Sequence, residues 1–487
     1  MPRNLQRLLA QHAATPKGAG DVLISGIASD SRAVKPGFIF AALPGTKSDG
    51  ASFIPQALKA GASAVIVAKG SYAGPGNIIE TNNPRLLLAQ LAARFYDDQP
   101  DTIVAVTGTN GKTSVAVFVR QIWAEMGFRA ASLGTIGIVG PEGTQYLQHT
   151  TPDPVQLQEA VAHLAQDGVQ HLAIEASSHG LAQYRLDGLR LTAGAFTNLT
   201  RDHLDYHGSF DAYFEAKMRL FTDLLPQGAG AVINADSPSG EEVHLRAEAR
   251  GLSTMLVGHK GRDIRLVDVA MEGLGQRLKL ETKFGAFDVN LPLAGDFQAS
   301  NALVAAGLVI AAGGDPAHVF HALSSLKGAP GRLDFVGQTH EGASVYVDYA
   351  HTPDAIATAL QALRPSVHGK LFVVFGCGGD RDKGKRPLMA KAAAEHADHV
   401  IVTDDNPRSE EPAQIRREAM VGAPSATEIG DRGKAIRVAI DLLTSRDILL
   451  VAGKGHELGQ IIGKETRPFS DHDAVRAALR GEDYHAT

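Results

Sequence analysis

A glycine-rich turn between an apolar strand and an amphipathic helix constrains this chain more than any other feature. Ile103-Val104-Ala105-Val106 reads as a buried strand, and Thr107-Gly108-Thr109-Asn110-Gly111-Lys112-Thr113-Ser114 follows it. The next stretch sets Val115, Phe118, Val119, Ile122 and Met126 on one helical face before Gly127 stops it. In such a unit the glycines let backbone N–H groups close around phosphate oxygens, and the helix N-terminus adds partial positive charge. Lys112 can reach terminal phosphates and Thr113 can offer its hydroxyl to Mg²⁺. The spacing departs from the usual phosphate loop, since Val106 stands where the first glycine would sit. A chance surface loop ending in Lys-Thr is the competing reading. The strand and helix on either side favour triphosphate binding.

Strand–turn–helix units recur at 171–175 and 229–234, which predicts a parallel sheet covered by helices. From about Pro330 onward, strands are expected at 344–348, 370–375, 399–403 and 448–452, with helical stretches between them. Residues 1 to about 100 mix the short apolar runs 38–43 and 64–68 with glycine and proline, and Tyr96-Asp97-Asp98-Gln99-Pro100 suits a linker. The expectation is an α/β chain of three domains. A small α/β domain spans 1–100, a central P-loop-type parallel sheet 101–330, and a Rossmann-like doubly wound domain 331–487. The length of 487 residues agrees, at ~150 residues per domain.

Lys and Arg total 47 against 53 Asp and Glu, a net charge of −6 that argues against a nucleic-acid-binding role. The lone Cys377 cannot form an internal disulfide, and the N-terminus lacks the apolar stretch of a signal peptide. The longest nearly apolar run, 302–312, is half the ~20 residues that span a bilayer. A cytoplasmic protein with no membrane insertion is therefore expected.

Other motifs sit at strand ends, where open α/β sheets bind ligands. Glu175 closes an apolar run and could ligate Mg²⁺, although a solvated strand-end carboxylate is the plainer reading. Ser177-Ser178-His179 follows without a nucleophile elbow, so a hydrolase triad is set aside. His203 and His207 are four apart like a zinc pair, but Leu204 stands where a metalloprotease needs Glu. His203 fits better as a single ligand beside Mg²⁺ or as a structural hydrogen-bonding residue. The loop Gly376-Cys377-Gly378-Gly379-Asp380-Arg381 has Arg where a dinucleotide fingerprint needs glycine, leaving a cationic turn for an anion. With Asp404-Asp405-Asn406-Pro407-Arg408 and Gly453-Lys454-Gly455-His456-Glu457 it makes three polar strand ends. They fit a zwitterionic substrate: guanidinium pairs with carboxylate, and Glu457 can hold an ammonium.

Thr-Gly-Thr-Asn-Gly-Lys-Thr at 107–113, Asn-Leu-Thr-Arg-Asp-His-Leu-Asp-Tyr-His-Gly at 198–208 and Asp-Tyr-Ala-His-Thr-Pro-Asp at 348–354 resemble the Mur ligase family. The loops at 376–387 and 405–408 are similar to those of its diaminopimelate-adding members. The resemblance covers nearly the whole chain. It implies an N-terminal domain for a UDP-sugar, a central ATPase domain and a C-terminal domain for the incoming amino acid. It also implies an ATP-dependent amide ligase of peptidoglycan precursor synthesis, acting on UDP-N-acetylmuramoyl-L-alanyl-D-glutamate and meso-2,6-diaminopimelate as a monomer.

Carried over by motif, ATP would meet Gly108, Thr109, Asn110, Gly111, Lys112, Thr113, Ser114, Asn301, Arg332 and Asp348. Thr113, Glu175 and His203 would stand by Mg²⁺, and Lys217 matches a lysine that the family carries as a carbamate (N6-carboxylysine); a surface helix lysine is its alternative. Lys112, Glu175, His203 and Lys217 form the implied catalytic set. Ser29, Ser31, Thr150, Thr151, Ser177, Gln183 and Arg185 match contacts to the UDP-muramoyl-dipeptide. Thr46, Lys47, Ser48 and His149 lie in the same stretches but depart from the family's pattern. Arg381, Asp405, Asn406, Pro407, Arg408, Gly453 and Glu457 match the diaminopimelate site. Arg408 carries the choice of amino acid, because lysine lacks the distal carboxylate that diaminopimelate offers it. A lysine-adding ligase, a folylpolyglutamate synthase, a small-molecule kinase and a nucleotide-dependent switch are the rival readings.

Overall fold

Uncharged runs of valine, isoleucine and alanine form parallel strands here because both faces of each strand are covered, so no side needs a polar residue. The computed structural model describes residues 2–45, 49–147, 149–273 and 275–484. The chain divides into two units, Met1–Arg265 with Leu303–Val319, and Leu266–Ala302 with Phe320–Thr487.

Besides the antiparallel pair Arg3–Asn4 with Leu23–Ile24, the first unit contains two larger sheets. Strands Gly26–Ala28, Phe38–Ala41, Ala64–Ala68 and Ile78–Thr81 are all parallel, in that order. Period-two alternation sorts their side chains. Ile27, Ile39 and Ile66 pack with Leu87, Leu88 and Leu91 of helix Pro84–Tyr96. Ala28, Phe40, Val65 and Val67 pack on the other face with Ile54 and Ala57 of helix Ile54–Lys59. Val155 of helix Pro154–Gln166 joins the first cluster, tying this sheet to the second.

The first eight strands of the second sheet run in the order Gly143–Gln145, Gly137–Gly140, Ala130–Gly134, His171–Glu175, Thr102–Thr107, Leu191–Phe196, Gly230–Asn234, Ser253–Gly258. From Ala130–Gly134 to Ser253–Gly258 the pairing is parallel. The chain leaves Thr102–Thr107 toward one edge of the sheet and later returns to its other side at Leu191–Phe196. That reversal opens a crevice at the carboxyl end of Thr102–Thr107. The helix after it, Lys112–Glu125, buries Val115, Phe118, Val119 and Ile122 as their spacing predicts; Met126 caps it and Gly127, whose φ is +87°, turns the chain away.

The second unit is doubly wound. Its sheet order is Asp334–Gln338, Ser344–Asp348, Ile448–Ala452, Leu371–Cys377, His399–Asp404, Thr427–Glu428, with the first strand alone antiparallel. Val345, Phe372, Val374 and Leu449 pack on one face with helices Arg432–Asp441 and Asp471–Leu479. Tyr346, Val373, Phe375 and Leu450 pack on the other with helices Pro353–Leu363 and Lys385–His396. The strand expected at 370–375 runs on to Cys377, because Gly376 has no side chain and Cys377 pairs opposite Asp404. Sequence reading misses the antiparallel hairpin Gly275–Thr282 with Gly285–Leu291, although Leu278, Leu280, Val289 and Leu291 alternate with polar neighbours. The apolar run 302–312 lies almost wholly in helix Asp296–Ala311, and no helix among the described residues is long and apolar enough to cross a membrane.

Arg432 and Asp471 bind the second unit together internally. Nε and a terminal nitrogen of Arg432 each donate to one oxygen of Asp471 at 2.7 Å, with both side chains fully buried. Arg432 also donates to Ala452 O at 2.9 Å, at the end of a central strand. Asp471→Ala strands a buried guanidinium. Urea unfolding followed by circular dichroism is expected to show a loss of about 3–5 kcal/mol.

Candidate functional site

Turn 107–111 is held by the loop that follows the neighbouring strand. Thr109 N donates to Asn198 O at 2.8 Å and Asn110 N to Asn198 Oδ1 at 2.9 Å. Thr197 Oγ1 donates to Asn110 O at 2.6 Å, and Thr200 N to Thr109 Oγ1 at 3.0 Å. Gly108 has φ +148°, and a Cβ there would lie 1.9 Å from Thr197 Oγ1. Gly111, with φ +87°, caps the helix, so the first-turn N–H groups at 112–114 have no intrahelical acceptor. Lys112 Nζ folds back onto Gly108 O and Thr109 O at 2.9 and 2.8 Å. Thr113 is buried, and its hydroxyl has no hydrogen-bond partner among the described residues.

Glu175 pairs opposite Val106, one residue before the turn, and is 1% exposed, so it is not a solvated strand end. Its carboxylate accepts from Thr135 N at 2.7 Å and Thr135 Oγ1 at 3.1 Å. Lys217 is no surface lysine: it is 1% exposed, and its Nζ donates to Gly108 O at 2.6 Å and lies 4.4 Å from the centre of the Tyr213 ring. Burial, with the Lys112 charge second, pushes its pKa well below the ordinary lysine range against the opposing pull of Asp202. Tyr213 OH in turn lies 3.1 Å from Thr109 Oγ1. His203 is half exposed with φ +52°, and its Nε2 lies 3.3 Å from Asp202 Oδ2. Its ring neighbours are His179 at 4.9 Å and Tyr213 at 6.2 Å. No hydrogen bond among the described residues joins His203 to Glu175. No trio of His, Cys, Asp or Glu among them is grouped to hold a metal.

Next to Glu175 the structure gathers five of the residues expected to meet the muramoyl-dipeptide. Thr151 Oγ1 donates to Glu175 O at 2.9 Å and lies 2.9 Å from Ser177 Oγ. Thr150 Oγ1 lies 3.1 Å from Thr135 Oγ1. Arg185 donates to Gln183 Oε1 at 2.8 Å and to Thr151 O. Ser29 and Ser31 stand apart from these at the carboxyl end of Gly26–Ala28, Ser31 bonded to Gln56 at 3.3 Å. His149 is exposed, and Thr46, Lys47 and Ser48 lie outside the described residues. Sequence reading misses Arg85, which donates to Pro44 O at 2.8 Å and repels Arg185. Its place at the start of a helix carries no motif.

In the second unit, Asn301 Nδ2 donates to Gln298 Oε1 at 3.3 Å, and Gln298 Nε2 to Arg332 O at 3.0 Å. The Arg332 guanidinium lies 4.9 Å from the centre of the Tyr349 ring, with Nε buried and unpartnered. Asp348 accepts from the backbone N–H groups of Leu333 and Ala350, and burial pushes its pKa up.

The three polar turns meet at the ends of adjacent strands. Asn406 Nδ2 donates to Glu457 Oε2 at 2.9 Å, and Lys454 Nζ donates to the same oxygen at 2.8 Å. Asp405 is buried, its pKa pushed up by burial, and its carboxylate accepts no hydrogen bond among the described residues. Arg408 adopts φ +53° and donates only to the main-chain carbonyls of Gly379 at 2.8 Å and Asn406 at 3.4 Å. Arg381 is exposed and donates to Asp380 O at 3.4 Å. Pro407 and Gly379 touch so closely that a Cβ on Gly379 would lie 1.8 Å from Pro407 O. Fully buried Arg386 secures the turns through Glu410 at 2.7 Å and Glu418 at 2.6 Å, and Glu410 accepts from Asp380 N at 2.6 Å. Lys454 and Arg386 escape the sequence reading; a lysine flanked by two strand-end glycines is the available signal for the former.

A glycine-rich turn of the phosphate-loop kind at the end of parallel strands and a charged pocket on a second, doubly wound sheet are the features of an α/β nucleotide-dependent enzyme. Three family models match the chain: "Mur ligase family, catalytic domain" over 23–96, "Mur ligase middle domain" over 106–309, and "Mur ligase, glutamate ligase domain" over 331–455. The chain belongs to the Mur ligase family. It is 55% identical over 466 residues to a UDP-N-acetylmuramoyl-L-alanyl-D-glutamate–2,6-diaminopimelate ligase of Brucella melitensis biotype 1, covering 95% of this chain and 96% of that one. A ligase of the same name from Bradyrhizobium diazoefficiens is 54% identical over 482 residues, 98% and 99% of the two chains. A solved structure of an enzyme of that name superposes with TM-score 0.75 at 35% identity over 99% of each chain.

A Cβ on Gly134 would lie 2.1 Å from Glu175 Oε1. Gly134→Ala therefore displaces the carboxylate while leaving the strand able to pair. ATP turnover is expected to fall by roughly 100-fold or more with unchanged far-ultraviolet circular dichroism.

Proposed function

We propose that this chain is an ATP-dependent amide ligase that joins meso-2,6-diaminopimelate to UDP-N-acetylmuramoyl-L-alanyl-D-glutamate, a step of peptidoglycan precursor synthesis. The observation that carries the reading is the pocket of the second unit: one turn carries both an arginine bonded, among the described residues, only to main-chain carbonyls and a buried carboxylate that accepts no hydrogen bond there. Such a pair suits one carboxylate and one ammonium on the same carbon. Near full-length relatives above 50% identity bear the corresponding name. Residues 1–100 are read as the UDP-sugar domain, 101–330 as the ATPase domain and 331–487 as the amino-acid domain. The chain is read as a cytoplasmic monomer.

The chemistry follows from the poor leaving group of a carboxylate. An oxygen of the D-glutamyl side-chain carboxylate attacks the γ-phosphorus of ATP, ADP leaves, and an acyl phosphate forms. The free amine of diaminopimelate attacks the acyl carbon, the tetrahedral intermediate expels phosphate, and the amine loses a proton as the amide forms. The protein supplies position and charge rather than a nucleophile. Backbone N–H groups at 108–114 and Lys112 would hold the triphosphate. Asn301, Arg332 and Asp348 would meet the rest of the nucleotide. Thr150, Thr151, Ser177, Gln183 and Arg185, with Ser29, Ser31, His149 and the 46–48 loop, would hold the UDP-muramoyl-dipeptide. Arg381, Asp405, Asn406, Pro407, Arg408, Gly453 and Glu457 would hold diaminopimelate.

Hard oxygen donors suit Mg²⁺, and the unpartnered Thr113 hydroxyl and the Glu175 carboxylate are of that kind, with His203 as a further ligand. When bound, the ion offsets the negative charge of the phosphate oxygens. Lys217 is read as a carbamate: its nitrogen lone pair attacks CO₂, a proton leaves the nitrogen, and an anionic carboxylate results. What supports this is a buried amine whose neutral form is favoured by desolvation and by Lys112.

Phosphate release is the test of the reaction. With ATP, Mg²⁺ and UDP-muramoyl-L-alanyl-D-glutamate, release is expected with meso-diaminopimelate and not with L-lysine or without an amine. Arg408→Ala should lower kcat/KM for diaminopimelate roughly 30-fold or more, about 2 kcal/mol. Equal use of lysine would leave a ligase but remove the argument from Arg408, and amine-independent release would point to a kinase or a switch. For Lys217, CO₂-depleted buffer should suppress turnover and bicarbonate should restore it. A Lys217→Ala enzyme with full activity in depleted buffer would discard the carbamate.

A further inference from the structure

Lys454 follows Gly453 in the turn after strand Ile448–Ala452 and is 0% exposed. Its ammonium donates to Glu457 Oε2 at 2.8 Å and to Asn406 Oδ1 at 3.2 Å, and lies 3.8 Å from Asp405 Oδ1. Asn406 closes the ring by donating to the same Glu457 oxygen at 2.9 Å. Ile461 N also donates to Asn406 Oδ1, at 2.9 Å. The ring has two consequences. The Asn406 amide cannot flip, since that would turn its NH₂ toward an ammonium and a backbone N–H. The Glu457 carboxylate is committed at Oε2 only, and Oε1 accepts nothing among the described residues.

The charges add to the argument. Asp405 and Glu457 bring two negative charges to the turn, and Lys454 returns one positive charge. Arg432 also faces them, but it is paired with Asp471 through two bonds and neutralises that carboxylate instead. His456, held down to about 4 with burial the main cause, is neutral near pH 7, and Tyr349, with its pKa pushed up, is neutral as well. Burying an ammonium is costly when an apolar chain of like volume could fill the space. Here the cation borders three residues of the amino-acid pocket.

We propose that Lys454 is a positioning residue of the amino-acid pocket: it holds Asn406 and Glu457 in one arrangement and reduces two carboxylates to a net single negative charge, matched to one substrate ammonium. This rests on the reading of the pocket given under Proposed function. Burial raises the Glu457 pKa, but Lys454 with Asn406 outweighs it and holds the group below the ordinary carboxylate range. Without the cation the Glu457 pKa rises, so the carboxylate is lost from a higher pH downward. The acid limb of kcat/KM for the amino acid therefore moves to higher pH.

The test uses the full chain and steady-state phosphate release. Lys454→Met and Lys454→Gln are expected to raise KM for diaminopimelate by roughly tenfold or more and to move the acid limb upward. KM for ATP and for the UDP-muramoyl-dipeptide should be unchanged, and kcat should change far less than KM. In Glu457→Gln, adding Lys454→Met should cost little more, because the charge it offsets is gone. The proposal is overturned if both variants keep the wild-type KM and acid limb, if all three KM values rise together with a fall in melting temperature, or if the two substitutions are additive. Should Lys454→Met not fold, Lys454→Gln alone decides by the same readouts. Failure of the underlying reading shows differently: wild-type protein would then release no phosphate in response to diaminopimelate.

Discussion

Two lysine ammonium nitrogens converge on a single carbonyl oxygen, that of Gly108. One belongs to the first turn of the helix after the glycine-rich strand end; the other comes from helix Phe210–Arg219, more than a hundred residues later. Like charges at such spacing disfavour each other in a dry site, and burial, with the Lys112 charge second, pushes the Lys217 pKa well below the ordinary lysine range. The rest of the phosphate turn serves this arrangement. Thr197 and Asn198 fix the turn's backbone, Tyr213 lies against both Thr109 and Lys217, and bare Gly108 lets Thr197 approach.

The second unit solves a related problem with the opposite outcome. Its pocket lies where Cys377, Asp404 and Ala452 end neighbouring parallel strands, Cys377 opposite Asp404 and Ala452 opposite Phe375. Parallel strands point all their carboxyl ends one way, so three turns distant in sequence meet at one edge. Those turns are dense in charge and would not keep a single shape by packing alone. Buried ion pairs outside the pocket hold them: Arg386 with Glu410 and Glu418, Arg432 with Asp471. Inside it, two acceptors and a nearby carboxylate surround the Lys454 nitrogen, the reverse of the setting of Lys217.

Much of the fold is legible in the amino-acid sequence. Strands at 171–175, 344–348 and 448–452 fall where the apolar runs predict them, because short uncharged runs bounded by turn residues have few other stable uses. The helix after the glycine-rich turn follows from its apolar spacing. The hairpin at 275–291 is harder to read, because its alternating runs are short and no tight-turn dipeptide joins the strands. Among site residues, the motif-borne groups stand out in the sequence. Arg85, Thr135, Tyr213, Arg386 and Lys454 do not, since each bonds at least one partner remote in the chain.

By itself the sequence determined the α/β class, the glycine-rich strand-end turn and the charged character of three strand ends. Those are local properties, set by side-chain period, by glycine's conformational freedom and by residue chemistry. Only the tertiary structure decided the surroundings of each charge. A lysine in a helix and a lysine in a turn read alike in a sequence. Desolvation and the sign of the nearest charge push the pKa of one down beside Lys112, whereas the other is seated among the acceptors of Glu457 and Asn406.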